Sequence, residues 1–313
     1  MKYSVIIPVY KNEGSIGRLI DVLKTMNKSL GDDMEVVFVV DGSPDKSFEL
    51  LKNAIGQITI SAQLLAHSRN FGSFAAIRTG LIAARGEYFG IMTADLQEPA
   101  ELLVSFFKCL ADNECDVAIG TRLGRQDPIL ARISSTVFWG IYRCFVVPEM
   151  PEGGVDVFGC NLQFRDQLVQ FEESRSSLIA LIFWLGFRRK LVGYERQVRE
   201  EGVSAWTLNK KIDYMMDSIF AFTDYPIRLL LKVGTVGSIL AVSIAMLVLI
   251  AKLTGAIVVP GYAATLLIVL IFGTSNLLGI GLVGTYAWRS YENSKKRPLS
   301  VVATKVKNYN END

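Results

Sequence analysis

The spacing of apolar residues changes character twice along this chain. Over roughly the first 120 residues, short apolar runs alternate with stretches whose apolar positions recur every three or four residues. Tyr3–Val9, Glu35–Val40, Ile58–Leu65, Tyr88–Met92 and Asp116–Ile119 read as strands. Gly14–Met26, Lys46–Ile55, Phe71–Ala84 and Pro99–Asp112 read as helices, the last with proline in its first turn. Strands separated by helices predict an α/β fold with a parallel, doubly wound, Rossmann-like sheet. Ligands of such sheets sit beyond the carboxyl ends of the strands. That rule gathers Pro8–Glu13, Asp41–Asp45, Ser68–Gly72 and Thr93–Glu98 into one mouth.

Further on, the pattern loses its alternation. Pro128–Val147 reads as a long apolar helix carrying Arg132 and Arg143 among Phe138, Trp139, Ile141, Tyr142 and Phe145. Leu178–Phe187 is short and apolar, and Lys210–Phe222 is amphipathic. Both suit a membrane interface, and both equally suit a cover over the sheet. Val233–Leu253 and Ala263–Tyr286 then run without a polar face, each long enough to cross a hydrocarbon core of about 30 Å. The short turn between them makes a helical hairpin with both ends on one side. Arg228 and Lys232 precede it, and Arg289, Lys295, Lys296 and Arg297 follow, so the flanks belong in the cytoplasm. Lys252 sits at a helix end, where it snorkels to the far interface. The expected organisation is a cytoplasmic sheet domain over 1–165 and a juxtamembrane segment over 166–227. Two transmembrane helices follow within 228–290, then a cytoplasmic tail over 291–313, polar and expected to fray from Ser300 to Asp313. The placement is multi-pass in the inner (cell) membrane.

Composition narrows the chemistry. The 313 residues are 50% hydrophobic with a net charge of +2, which gives no case for nucleic acid. Cys109, Cys115, Cys144 and Cys160 show no paired spacing, so a structural zinc site is not expected and a reducing compartment fits. His67 is the single histidine, which excludes histidine-rich metal cages. The apolar run in MKYSVIIPVYKNE is too short for a signal peptide.

Three groups at the predicted mouth carry candidate chemistry. Asp41, after a buried strand, can accept from a sugar hydroxyl or a base N–H, although Asp-Gly is also a common turn. Asp95 and Gln97 offer hard oxygens suited to Mg²⁺ or Mn²⁺ on a diphosphate; Asp95 equally suits a helix cap. Arg122, Arg132 and Ser135 suit a phosphate at a membrane surface, and Arg122 alone also suits a surface ion pair. Arg199 opens a charged loop before the juxtamembrane helix.

SVIIPVYKNE at Ser4–Glu13, VVDGSPD at Val39–Asp45, SRNFG at Ser68–Gly72 and TADLQEP at Thr93–Pro99 together resemble the signature loops of family 2 inverting glycosyltransferases. TGAIVVPGY at Thr254–Tyr262 and KKRP at Lys295–Pro298 resemble the two-helix bacterial members of the polyprenyl-phosphate branch. The resemblance covers nearly the whole chain. It implies a glycosyltransferase A-type fold and transfer of one sugar, with inversion, from a nucleotide diphosphate sugar, UDP-linked by first expectation. The acceptor it implies is polyprenyl (undecaprenyl) phosphate, and the product a lipid-linked sugar for cell-envelope glycan or lipopolysaccharide modification. By position, Pro8, Tyr10, Glu13, Asp41, Asn70 and Asp95 line the nucleotide sugar, and Asp95 with Gln97 holds the metal. Arg122, Arg132, Ser135 and Arg199 receive the lipid phosphate. Asp156 sits near the reacting centre, so Asp95, Asp156 and Arg122 are the catalytic candidates. Implied partners are the nucleotide sugar, polyprenyl phosphate and membrane lipid, with homo-oligomerisation left open.

The chain departs from that pattern in three places. Thr93 stands where relatives carry the first Asp of DADLQ, which removes one charge from the metal loop. Val203 and Ala205 replace the lysines of a GKSKY loop, and Val40 replaces a further Asp. Two rival readings follow: a transferase that extends a lipid-linked saccharide, and a non-catalytic membrane scaffold that retains a donor-binding fold.

Overall fold

The computed structural model describes residues 1–123, 129–151, 154–173, 176–197, 208–254 and 262–309. The strands that meet the expectation are β1 (Tyr3–Val9), β2 (Met34–Val40), β4 (Tyr88–Ile91) and β5 (Val117–Arg122), with β3 (Ser61–His67) between β2 and β4 in sequence. The helices that connect them are α1 (Ile16–Ser29), α2 (Ser47–Ile55), α3 (Ser73–Ala83) and α4 (Ala100–Ala111). Strand β3 lies three residues later than expected. Ile58-Thr59-Ile60 has strand chemistry but precedes the edge of β2, while Ser61–Ala66 pairs with Glu35–Val40.

Three more strands complete the sheet: β6 (Phe158–Asn161), β7 (Arg189–Tyr194) and β8 (Val302–Lys307). The order is β7-β5-β6-β4-β1-β2-β3-β8. The sheet is mixed rather than all parallel, because β6 runs antiparallel to β4 and β5, and β8 runs antiparallel to β3. Two corrections follow. The 166–227 stretch contributes β7 to the sheet, and the tail expected to fray instead forms β8. Backbone hydrogen bonding along β3 orders Val302–Lys307 despite its lysines and its exposure.

Alternation along the central strands divides the core in two. Val36, Phe38 and Val40 face α1, α2 and α4, where Leu19, Leu23, Leu51, Ile55 and Phe107 are buried. Val37 and Val39 face α3 and the elements after β5: α5 (Ile129–Phe145), α6 (Leu162–Leu168) and α7 (Leu178–Trp184). Leu178, Ala180, Leu181 and Ile182 are buried, so α7 covers the sheet instead of lying on an interface.

The last helices are α8 (Leu208–Phe222), α9 (Tyr225–Leu253) and α10 (Tyr262–Ser294). Helix α5 is locked to α8 by a buried polar knot, in which the Tyr142 hydroxyl meets Ser177 and Ser218 at 3.2 Å each. The rings of Tyr142 and Tyr214 stack at 5.9 Å. Arg289 of α10 pairs with Asp217 of α8. Among the described residues, one stretch, Tyr225–Ile244, is long and apolar enough to cross a membrane. The second expected run, Ala263–Tyr286, lies inside α10 and exposes Ile271, Leu277, Leu278 and Val283.

Candidate functional site

The carboxyl ends of β1, β2 and β3 carry three loops stitched by short polar side chains. Ser43 Oγ accepts from Lys11 N at 2.8 Å and donates to Asp45 Oδ1 at 2.6 Å. Asp45 Oδ2 takes the Ser47 hydroxyl at 2.8 Å and Glu13 N at 3.1 Å, while the Glu13 carboxylate returns to Lys46 N at 3.0 Å. Burial alone raises the Asp45 carboxyl, but these donors outweigh it and hold the group below its ordinary range. Gly42 sits at φ +59°, and a Cβ there meets the backbone carbon of Arg69 at 2.3 Å. The 41–43 and 69–72 loops therefore touch backbone to backbone, which only glycine permits.

Asp41 is turned inward. It is 3% exposed and accepts from Phe71 N at 2.8 Å, Gly72 N at 2.7 Å and His67 Nδ1 at 2.8 Å. Burial raises this carboxyl as well, and the His67, Phe71 and Gly72 donors overcome it, leaving the group lowered. The oxygens that the sequence offers to a nucleotide are here spent on shaping the Ser68–Gly72 loop. Tyr10, Glu13 and Asn70 are exposed at the same mouth, and Pro8 is half-buried beside them.

A second group gathers where β4, β5, β6 and β7 end or begin. After β4 the chain reverses through Leu96, a non-glycine residue at φ +55°. That reversal puts Thr93, Asp95 and Glu98 around one hydroxyl: Thr93 Oγ1 contacts Asp95 Oδ1 at 2.7 Å and also Glu98 Oε2. Glu98 is 2% exposed, and burial, reinforced by Asp156 and Asp95, pushes its carboxyl from the ordinary 4.5 up to about 7. One hydroxyl proton cannot serve two carboxylates, so a proton on Glu98 completes the set. Helix α4 takes Pro99 as its N-cap and receives no side-chain cap, so Asp95 is not a cap.

Arg122, the last residue of β5, holds Asp156 through both ends of its fork, Nε to Oδ2 at 2.5 Å and Nη2 to Oδ1 at 2.6 Å. The pair is internal rather than a surface ion pair, with side chains 15% and 24% exposed. The Tyr194 hydroxyl at the end of β7 adds a bond to Asp156 at 2.7 Å. Burial raises the Asp156 carboxyl, but Arg122 and Tyr194 outweigh it and hold it low. Asp156 reaches this position because Gly154, at φ +75°, lets the chain pass flat against Trp139 of α5. A Cβ there meets the Trp139 ring at 2.2 Å. Arg132 and Ser135 lie on α5, but their side chains fall outside the described residues, as do Arg199 and the 202–206 loop.

Residues 4–170 of this chain match the model of glycosyl transferase family 2. The chain belongs to glycosyl transferase family 2. Family relatives extend over almost its whole length. A provisionally named glycosyltransferase, CsbB, of Bacillus subtilis (strain 168) is 32% identical over 94% of this chain and 89% of its own. Undecaprenyl-phosphate 4-deoxy-4-formamido-L-arabinose transferase of Edwardsiella ictaluri (strain 93-146) is 30% identical over 97% of this chain and 94% of its own. Among solved structures, the S. aureus TarS 1–349 complex with UDP-GlcNAc aligns at 19% identity and a TM-score of 0.46. That alignment covers 66% of this chain and 62% of TarS 1–349. The family membership makes this chain a glycosyltransferase.

The family implies a divalent metal, and the residues here meet that demand in part. Asp95 is half-exposed, so one carboxylate fits an ion that takes its remaining ligands from water and diphosphate oxygens. The Gln97 amide oxygen instead accepts from Arg196, and Gln197 N donates to the Gln97 carbonyl at 2.9 Å. As placed, Gln97 fastens the 195–197 segment and does not complete a ligand set. No group of three or more His, Cys, Asp or Glu among the described residues is arranged to hold a metal. Sequence reasoning missed Glu98, Tyr194 and Arg196. Glu98 carried a signal, an acid inside the same TADLQEP motif; Tyr194 and Arg196 carried none, because β7 brings them in from far along the chain.

Proposed function

We propose that this glycosyltransferase moves one sugar from a nucleotide diphosphate sugar to polyprenyl phosphate at the cytoplasmic face of the cell membrane, with inversion. The observation that carries the reading is the Arg122–Asp156–Tyr194 cluster set against the Thr93–Glu98 loop. The nucleotide lies across Pro8–Glu13, Asp41–Asp45 and Asn70, with Asp41 acting through the loop it holds. Asp95 would hold Mg²⁺ or Mn²⁺, which when bound neutralises charge on the departing diphosphate.

The nucleophile is a phosphate oxygen already anionic near neutral pH, so no strong base is required. Arg122 receives the acceptor phosphate, a task suited to a planar fork that can hold two oxygens. Sharing Arg122 with a phosphate leaves Asp156 with surplus negative charge beside the sugar ring, where positive charge develops as the bond to diphosphate breaks. Arg132, Ser135 and Arg199 are proposed to complete the phosphate site from the membrane side. The names of full-length relatives that act on undecaprenyl phosphate support this acceptor.

The membrane arrangement we propose is two crossings, by α9 and α10. Residues on α9 such as Leu231, Val236 and Leu247 are more than half exposed, an apolar surface that only lipid or a partner can cover. Strand β8 follows α10 and pairs with β3, which supports a chain that returns to the side it left and crosses an even number of times.

The test is transfer of radiolabelled sugar from a panel of nucleotide sugars into extractable polyprenyl phosphate by the purified, full-length protein. Label in a mild-acid-labile lipid is the expected result. Label only in free sugar or in a longer saccharide would defeat the reading.

A further inference from the structure

The single histidine of the chain entered above only as a donor to Asp41, and its ring is bonded at both nitrogens. The His67 side chain is fully buried at the end of β3. Its Nδ1 faces Asp41 at 2.8 Å and its Nε2 faces Thr79 Oγ1 at 2.9 Å. A carboxylate only accepts, so Nδ1 carries a proton toward Asp41. Beyond it, Thr79 Oγ1 on α3 meets Ser300 Oγ at 2.8 Å. Ser300 belongs to the segment between α10 and β8. Next to it, Ser68 N donates to Val301 O at 2.9 Å, and Val302 pairs with His67 itself. The line Ser300–Thr79–His67–Asp41 thus runs from the chain leaving the last long helix to the carboxylate that holds the Phe71 and Gly72 amides. It is no hydrolytic triad, because Thr79 stands between serine and histidine and the ring is sealed from solvent.

We infer that His67 is a positioning residue, which with Thr79 and Ser300 makes the shape of the Ser68–Gly72 loop depend on docking of the tail strand. The inference rests on the proposed placement of nucleotide sugar at that loop. A buried polar line works as a unit, since an unmet partner inside it is costly. The far end of the tail is pinned too: Asn308 accepts from Ala62 N at 2.7 Å and donates to Ile60 O at 2.8 Å. With both ends fastened, Ser300 has a fixed place against α3. Whatever moves the α10 end of the tail then acts on Asp41 and its two amides.

Thr79→Val keeps the shape and loses the hydroxyl, Thr79→Ser keeps the hydroxyl, and Ser300→Ala removes only the outer member. In full-length protein in detergent, hydrogen exchange is read at Phe71 and Gly72, and transfer is read against nucleotide-sugar concentration. Thr79→Val and Ser300→Ala are expected to speed exchange at those two amides by about five-fold, the worth of one hydrogen bond. They are expected to raise the donor KM by a similar factor with kcat retained, and Thr79→Ser is expected to restore both. Unchanged exchange in Thr79→Val and Ser300→Ala overturns the inference, as does equal loss in Thr79→Ser. Failure of the transfer reading shows separately, as absence of labelled lipid from the wild-type protein; the exchange comparison still decides the positioning role.

Discussion

Replacing Asp156 with Asn strands Arg122 in a pocket built for a pair. The two side chains are 15% and 24% exposed and joined by two bonds of 2.5 and 2.6 Å. Removing one member of a buried pair typically costs about 3–5 kcal/mol, and the partial exposure here places the cost near 3 kcal/mol. Removing both charges, as in Arg122→Leu with Asp156→Asn, leaves no orphan charge. The double variant should then lie about 2 kcal/mol or more above the sum of the singles, a coupling well beyond the roughly 0.5 kcal/mol scatter of independent sites. Acid adds a second signature. The Asp156 carboxyl is held below its ordinary 3.8, so the stability it contributes is present above that value and lost as pH falls through the lowered one. Denaturant unfolding of detergent-solubilised protein, followed by tryptophan fluorescence near Trp139 at pH 7 and then in acid, measures both. Additive single costs at pH 7, or an Asp156→Asn protein that loses as much stability in acid as the wild type, would refute an internal ion pair here.

Other perturbations give equally definite outcomes. Glu98→Gln, melted in the presence of chelator, should match the wild type below pH 4.5 and exceed it at pH 8 by about 3 kcal/mol. A carboxyl raised to about 7 loses its stabilising proton as pH climbs through that range, and the amide does not; equal melting at pH 8 would count against the buried acid. Gly154→Ala should cost about 2–4 kcal/mol through its positive φ and overlap with Trp139, and a neutral melting point would contradict that packing. Asp95→Asn should cut turnover by orders of magnitude, while Thr93→Asp should lower the Mg²⁺ or Mn²⁺ needed for half-maximal rate; wild-type turnover in Asp95→Asn removes the proposed ligand. Reporters fused at both ends should face the cytoplasm, and a periplasmic C-terminal reporter would sink the two-crossing arrangement.

What the sequence disclosed depended on how far each signal reached along the chain. Strand β1 and the two central strands beside it were legible, because burial on both faces writes a near-continuous apolar run such as Val36–Val40. Strand β7 was not, since Arg189 and Lys190 at a sheet edge look like a polar loop. Strand β8 was hidden for the same reason, its six residues being mostly exposed. Of the site, the loops that follow the parallel strands could be read from the rule for strand ends. The inward turn of Asp41 could not, because the donors that claim it, His67, Phe71 and Gly72, lie about 30 residues away. The pairing of Arg122 with Asp156 spans 34 residues and passes through a glycine whose value depends on a tryptophan one helix earlier.

Strand β8 also bears on how the protein is made. Every other strand of the sheet precedes α9 and α10 in the chain, so the sheet domain can collapse while those helices are still being synthesised. That early domain has β3 as a bare edge, with open N–H and C=O groups where Gln63–Ala66 will later be paired. In the two-crossing arrangement proposed above, only a chain whose hairpin has gone in and come back delivers the closing strand to that edge. A molecule stalled with one helix across the bilayer would then keep Val302–Lys307 on the wrong side and leave β3 exposed. Under that arrangement, closure of the sheet would report that both helices had inserted, and an unclosed β3 would remain an edge open to pairing with other chains.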